Sequence, residues 1–215
     1  MAELKAPRRT QEERRTATRT RILDAAVESL LERGYAATTV GEVQDRAGVA
    51  RGTLLHHFPT RVDIMVAAIK HISDRRVEQF ERELKLIPSD TGRLAALVDL
   101  AWRDLNSPMF FAALELWVAA RSEPELRDAL VPVERELFSR IHESMLSVVG
   151  AEAVDPRLPT LVQFTLDMLT GLSMSTILTS NLGSREVLLR RWKTALSVLM
   201  GELDATQLVA RSRRP

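Results

Sequence analysis

The chain has 215 residues, 30 Lys and Arg against 29 Asp and Glu, and no cysteine. That length accommodates one large domain, or a small one and a medium one, with ample core. The missing cysteines exclude disulfides, thiol chemistry and cysteine-bound metal, and no run approaches the roughly 18 apolar residues of a membrane span.

The N-terminal charges are followed by no apolar stretch of signal-peptide type, so a cytoplasmic location is expected. Residues 1–15 are read as a basic arm, with Lys5, Arg8, Arg9, Arg14 and Arg15, and Arg19 and Arg21 follow. Its start is either a disordered tail or an arm that reaches the minor groove or phosphates. A first helix is expected from Thr16. In it Ile22, Leu23, Ala26, Val27, Leu30 and Leu31 recur at helical spacing, and Gly34 stands where a C-terminal cap belongs.

Two short helices follow in TVGEVQDRAGVARGTLLHHF. Val40, Val43 and Ala47 give the first an apolar face, Thr39 and Glu42 form a capping box, and Gly48 ends it. Val49 plugs the angle, and Leu54 and Phe58 supply the second helix's stripe. Steeply crossing helices over a glycine turn are the helix-turn-helix arrangement, in which the second helix enters the major groove. Ile64, Met65 and Ile69 close this core from a long helix over 61–86, whose outer face is charged.

The remainder reads as helices without period-two alternation. Breaks are expected at Pro88–Gly92, Asp155-Pro156 and Asn181–Ser184. Helices are expected over 94–105, from Ser107-Pro108 onward, from a Ser122/Glu125 capping box to about Val149 with a bend near Pro132, and over 157–180 and 185–202. The fold class is therefore all-α. A helix-turn-helix domain over 16–60 precedes a helical ligand-binding and dimerisation domain over 61–215. Residues 1–61 carry 11 Lys and Arg against 8 Asp and Glu, a net +3 that leaves −2 for the rest. Such a basic head suits a polyanion.

The runs RILDAAVESLLERGYAATTV and AGVARGTLLHHF, and the aliphatic helix opening at Arg61, resemble the N-terminal domain of the TetR family of bacterial transcriptional regulators. The resemblance implies a homodimer on a palindromic double-stranded DNA operator, usually as a repressor released by a small-molecule effector. It maps phosphate contacts onto Thr39, Thr53 and Arg61, and groove readers onto Arg51 and His56. Independently, Thr39 places a hydroxyl and free amides at a helix start. Arg51 opens the recognition helix, where a guanidinium can fork onto guanine, and Gly52 lets backbone approach the duplex. Leu55 stands where the family usually has a phosphate-binding tyrosine, which leaves van der Waals contact with sugar or a thymine methyl. Gly41 carries no base-reading side chain. Gln44 either reaches adenine or bonds across to the recognition helix.

A ligand cavity for a hydrophobic or amphipathic effector is expected among Trp102, Leu105, Met109, Phe110, Leu114, Trp117, Met145 and Phe164, with Asp167 or Glu115 orienting a polar group. Leu161, Phe164, Leu169, Leu188, Trp192 and Leu196 make the last two helices the expected dimer surface. No cofactor and no metal are expected, because adjacent His56 and His57 diverge by about 100° on a helix. No His has a Glu three positions before it, and HExxH, GxxxxGK and GxGxxG are absent, so an enzyme is not expected. The alternatives are a DNA-binding regulator without a small-molecule ligand and, remotely, a helical metal-dependent enzyme.

Overall fold

Thr10 begins the first helix with a complete capping box: its side chain accepts from the Glu13 amide, and the Glu13 carboxylate accepts from the Thr10 amide at 2.8 Å. The computed structural model describes residues 10–87, 92–149, 155–178 and 182–201. Lys5, Arg8, Arg9, most of the expected break at Pro88–Gly92, and Asn181 lie outside them. Helix α1 spans Gln11–Ala37, so Gln11–Arg15 are helical rather than part of a flexible arm. The cap decides this, and the sequence reading passed over it.

Every regular element among the described residues is helical: α2 Val40–Ala47, α3 Arg51–His57, α4 Arg61–Leu84, α5 Arg93–Leu105, α6 Pro108–Ala120, α7 Pro124–Val149, α8 Leu158–Ser175 and α9 Leu182–Leu199. None of them is long and apolar enough to cross a membrane. Two compact units divide the chain. The first comprises the chain through Ser73 together with Phe111–Val133, and the second Asp74–Phe110 and the chain from Glu134.

The first unit is built on the predicted apolar positions. Ile22, Ala26, Leu30, Val43, Ala47, Leu54, Phe58, Ile64, Met65 and Ile69 are all buried. Leu31 is not, at 40 % exposure, because it lies on the outer edge of the α1 stripe. Gly34 interrupts α1 at φ 73° and ψ 176°, a conformation essentially confined to glycine. In the second unit α5 packs on α8 and α9. The Ser173 hydroxyl donates to the Leu105 carbonyl, Trp192 Nε1 donates to Thr165 Oγ1 at 3.1 Å, and Lys193 pairs with Asp99.

Three boundaries differ from expectation. Ser122 does not cap α7; its hydroxyl donates to the Ala119 carbonyl, and α7 starts on Pro124, whose missing amide is no loss in a first turn. Helix α8 stops at Ser175 instead of running to 180. Gly183 and Ser184, read as a break, lie inside α9.

Candidate nucleic-acid interface

The turn between α2 and α3 is fixed from within. Thr39 accepts from the Glu42 amide at 3.2 Å, as a cap should. The reciprocal half of the expected capping box is missing. The Thr39 amide bonds the Ala37 carbonyl at 2.9 Å, and the Glu42 carboxylate pairs with Arg33 and Arg46, each at 3.3 Å. Gly48 ends α2 at φ 60° and ψ 42°, where its amide donates to Asp45 O at 3.2 Å. Arg46 ties α2 back to α1 through Glu32 at 2.6 Å and Glu28 at 3.6 Å. Its hydrogen bond holds the Glu32 carboxyl below the usual carboxylate range. Arg46 is thus a strut of the head.

This frame presents one face of α3. Leu54 is fully buried and Phe58 nearly so, whereas Arg51, Gly52, Thr53, Leu55 and His56 are all exposed. Thr39 is exposed as well, and Gln44 is half-buried. A Cβ at Gly52 would meet nothing within 4 Å, so the head itself leaves that position open. His57 lies half-buried, with its imidazole held below the ordinary 6.5 by burial first and then by His56, Arg15 and Arg19. The guanidiniums of Arg15 and Arg19 therefore lie beside the end of α3, and Arg19 stands 5.1 Å above the Phe58 ring. The start of α1 at Gln11 places Arg15, expected in the arm, on the same helix as Arg19.

Arg61 is placed differently from expectation. Its Nε donates to the Thr38 carbonyl at 3.0 Å, its Nη2 donates to the Tyr35 carbonyl at 2.6 Å, and the guanidinium covers the Tyr35 ring at 4.0 Å. The carbonyls left over where α1 ends capture it, so it locks the approach to Thr39. Tyr35 is held further by its amide on Glu115, at 3.2 Å, and by its hydroxyl on Glu123. Burial and that hydrogen bond push the Tyr35 hydroxyl up to about 12. Glu115 thus holds the end of α1 through the Tyr35 amide.

An exposed recognition helix on a rigid glycine turn matches a known family. The family described as bacterial regulatory proteins, tetR family, matches residues 22–68. A transcriptional regulator of the helix-turn-helix type from Mycobacterium tuberculosis is 33 % identical over 165 residues, covering 76 % of this chain and 84 % of that one. The chain belongs to the TetR family of bacterial transcriptional regulators. As a TetR-family regulator it binds DNA and is not an enzyme. The regulator CymR of Pseudomonas putida is 33 % identical over 132 residues, 61 % of this chain and 65 % of that one. A transcriptional regulator from Saccharomonospora viridis, solved in complex with choline, shares the fold with a TM-score of 0.64 at 19 % identity, covering 86 % and 96 % of the two chains.

The expected effector residues of this TetR-family chain fall in both units. Leu114 and Trp117 belong to the first unit, and the others to the second. There Met109 lines an open cleft of about 480 Å³, whereas Leu105 lines a void of about 10 Å³. Met145 faces a separate cavity of about 20 Å³. Phe110 is wholly buried and Trp102 half-buried. Phe164 is 56 % exposed, with its ring 5.3 Å from that of Trp192, and the exposed Asp167 accepts from Gln163 at 3.0 Å. An aromatic stripe read along a sequence does not say which faces of neighbouring helices leave space. Among the described residues no three His, Cys, Asp or Glu side chains gather as a metal site.

Proposed function

We propose that this chain is a dimeric repressor whose paired α3 helices read a palindromic operator, and that a small molecule bound in the second unit releases it. The observation that carries the reading is the exposed face of α3, where Arg51, Thr53, Leu55 and His56 stand clear of the core that Leu54 and Phe58 anchor. On that face Arg51 forks onto a guanine edge, Thr39 and Thr53 bond phosphates, and Leu55 touches sugar or a thymine methyl. Gly52 lets the backbone come close. Arg15 and Arg19 add neutralising charge, and Arg61 positions Thr39 instead of reaching a phosphate itself.

Dimerisation is supported by apolar side chains left exposed on and just beyond α8, Phe164, Met174 and Ile177, and on α9, Leu188 and Leu199. A two-fold pair would set its recognition helices about 34–36 Å apart, one turn of duplex. Ligand response is supported by the cleft in the second unit and by the choline complex of a protein with the same fold. Helix α4 continues unbroken from the first unit into the second, so a ligand that favours one placement of its C-terminal half biases the head. A differential of a few kcal/mol between two states suffices to empty an operator.

Selection of bound fragments from a random double-stranded DNA pool tests this reading, with sedimentation of the complex on the selected site. The expected outcome is an inverted repeat bound by two copies. Recovery of no preferred sequence at moderate ionic strength, or a site without symmetry, would overturn it.

A further inference from the structure

The open cleft of the second unit lies between the C-terminal half of α4 and α5. Phe80, Leu100 and Met109 give it apolar wall, and Arg75, Arg76, Arg82 and Arg103 face Glu78, Glu83 and Asp104. At about 480 Å³ it is of the size that small-molecule sites have. Its charges mostly cancel in pairs: Arg103 with Glu83 at 2.9 Å, Arg82 with Glu78 at 3.8 Å, and Arg76 with Asp104.

Arg76 is the exceptional member. It is 5 % exposed, and it grips Asp104 in a fork through Nε at 3.1 Å and Nη2 at 2.7 Å. Nη1, on the opposite edge of the guanidinium, is buried with no hydrogen-bond partner. The Phe110 ring lies 5.4 Å from the guanidinium carbon and offers no acceptor lone pair. A charged donor buried without an acceptor is costly, and native proteins seldom leave one so. With Phe80 and Asp104, Arg76 is shared by the open cleft and by the small void behind it, which Leu137, Ile141 and Leu166 line. An acceptor group that reached Nη1 from the cleft would carry its apolar body along Phe80, Leu100 and Met109.

We propose that this cleft is the effector site and that it takes a monocarboxylate with an apolar body, its carboxylate accepting from Arg76 Nη1. The inference rests on the ligand-responsive reading above and names the ligand class. The unpartnered Arg76 donor calls for an anionic acceptor, and the apolar wall rewards a hydrocarbon body over a small, strongly hydrated inorganic anion.

The test titrates the full chain on its selected operator with octanoate and phenylacetate, with octanamide and phenylacetamide as uncharged counterparts, and with inorganic phosphate. Calorimetry reads binding, and operator release is measured in parallel. At least one carboxylate is expected to bind, roughly tenfold or more tighter than its amide, and to release the operator. Arg76→Lys keeps a cation for Asp104 and removes the second donor edge, so carboxylate binding should weaken roughly tenfold. Met109→Trp leaves the Arg76–Asp104 fork alone and should block the cleft, which guards against an Arg76 variant that fails to fold. Equal binding of acid and amide, a phosphate affinity equal to that of the carboxylates, indifference to both substitutions, or no carboxylate binding at all would overturn the proposal. Acid and amide that bind equally and both release DNA would leave the ligand-responsive reading standing. A carboxylate that binds through Arg76 yet releases nothing would sink that reading while keeping the site.

Discussion

The face of α3 and the cleft of the second unit gather their working residues by different means. On α3 five exposed positions within six residues, Arg51 to His56, come from one short helix and fill the sector that buried Leu54 leaves to solvent. In the cleft, Arg76 and Phe80 come from α4, Leu100 and Asp104 from α5, and Met109 from α6, and only packing brings them together. The first surface is polar and open, held by a frame whose cap and glycine turn leave little to adjust. The second buries a charge that one carboxylate satisfies on one edge only. A head of the first kind reads a ligand of fixed shape, whereas a cleft of the second kind responds to what fills it.

The comparison can be broken most strongly at Gly34. Alanine there would hold a conformation reserved to glycine, and its Cβ would sit 3.0 Å from a Glu115 carboxylate oxygen. A loss of about 2–3 kcal/mol is expected, read as a lower denaturation midpoint with unchanged slope. An unchanged midpoint would show that the frame of the head is softer than its geometry implies. Arg51→Ala comes next. It should cost the operator about 1–3 kcal/mol while nonspecific binding falls far less. Equal losses on operator and random duplex, in competition at fixed salt, would remove Arg51 from base reading.

Thr39→Ala should lower stability by about 1 kcal/mol, because the Glu42 amide loses its cap. It should also weaken specific and nonspecific binding together with little change in salt slope, since a neutral contact releases no counterion. Gly52→Ala separates frame from interface: with no neighbour within 4 Å of the new methyl, helix propensity should raise stability by up to about 1 kcal/mol. DNA affinity should fall all the same, as a gel-shift titration would show. A variant gaining stability at full affinity would mean that the backbone does not approach the duplex there.

The smallest effect is that of pH at His57. Burial and neighbouring cations hold its imidazole below the 6.5 of an unfolded chain, so the unfolded state takes up the proton first. Its contribution to stability is complete above 6.5 and is lost as pH falls below that value. His57→Gln should flatten the midpoint-against-pH profile on the acid side. A profile identical to that of the parent chain would show that His57 does not titrate between the two states.

The head was legible because its signals are local. Caps, the Gly48 turn and the spacing of Leu54 and Phe58 act within one or two helical turns, and α3 presents the residues expected of it. What escaped the reading was contact across distance. Arg61 was expected on a phosphate, but Tyr35 and Thr38, more than twenty positions away, hold it. Arg76 was read as part of a charged outer face in HISDRRVEQFEREL. It continues the stripe of Ile69, Ile72 and Phe80, and that register was the one available sign of its burial.

The all-α class, the recognition helix and the residues on its open face were written in the order of amino acids, because a helix of known period converts spacing directly into a surface. Tertiary structure alone decided which arginine reaches outward and which is absorbed by the ends of other helices. It also decided where space remains between α4 and α5, since a cavity is defined by several elements and none of them encodes it singly.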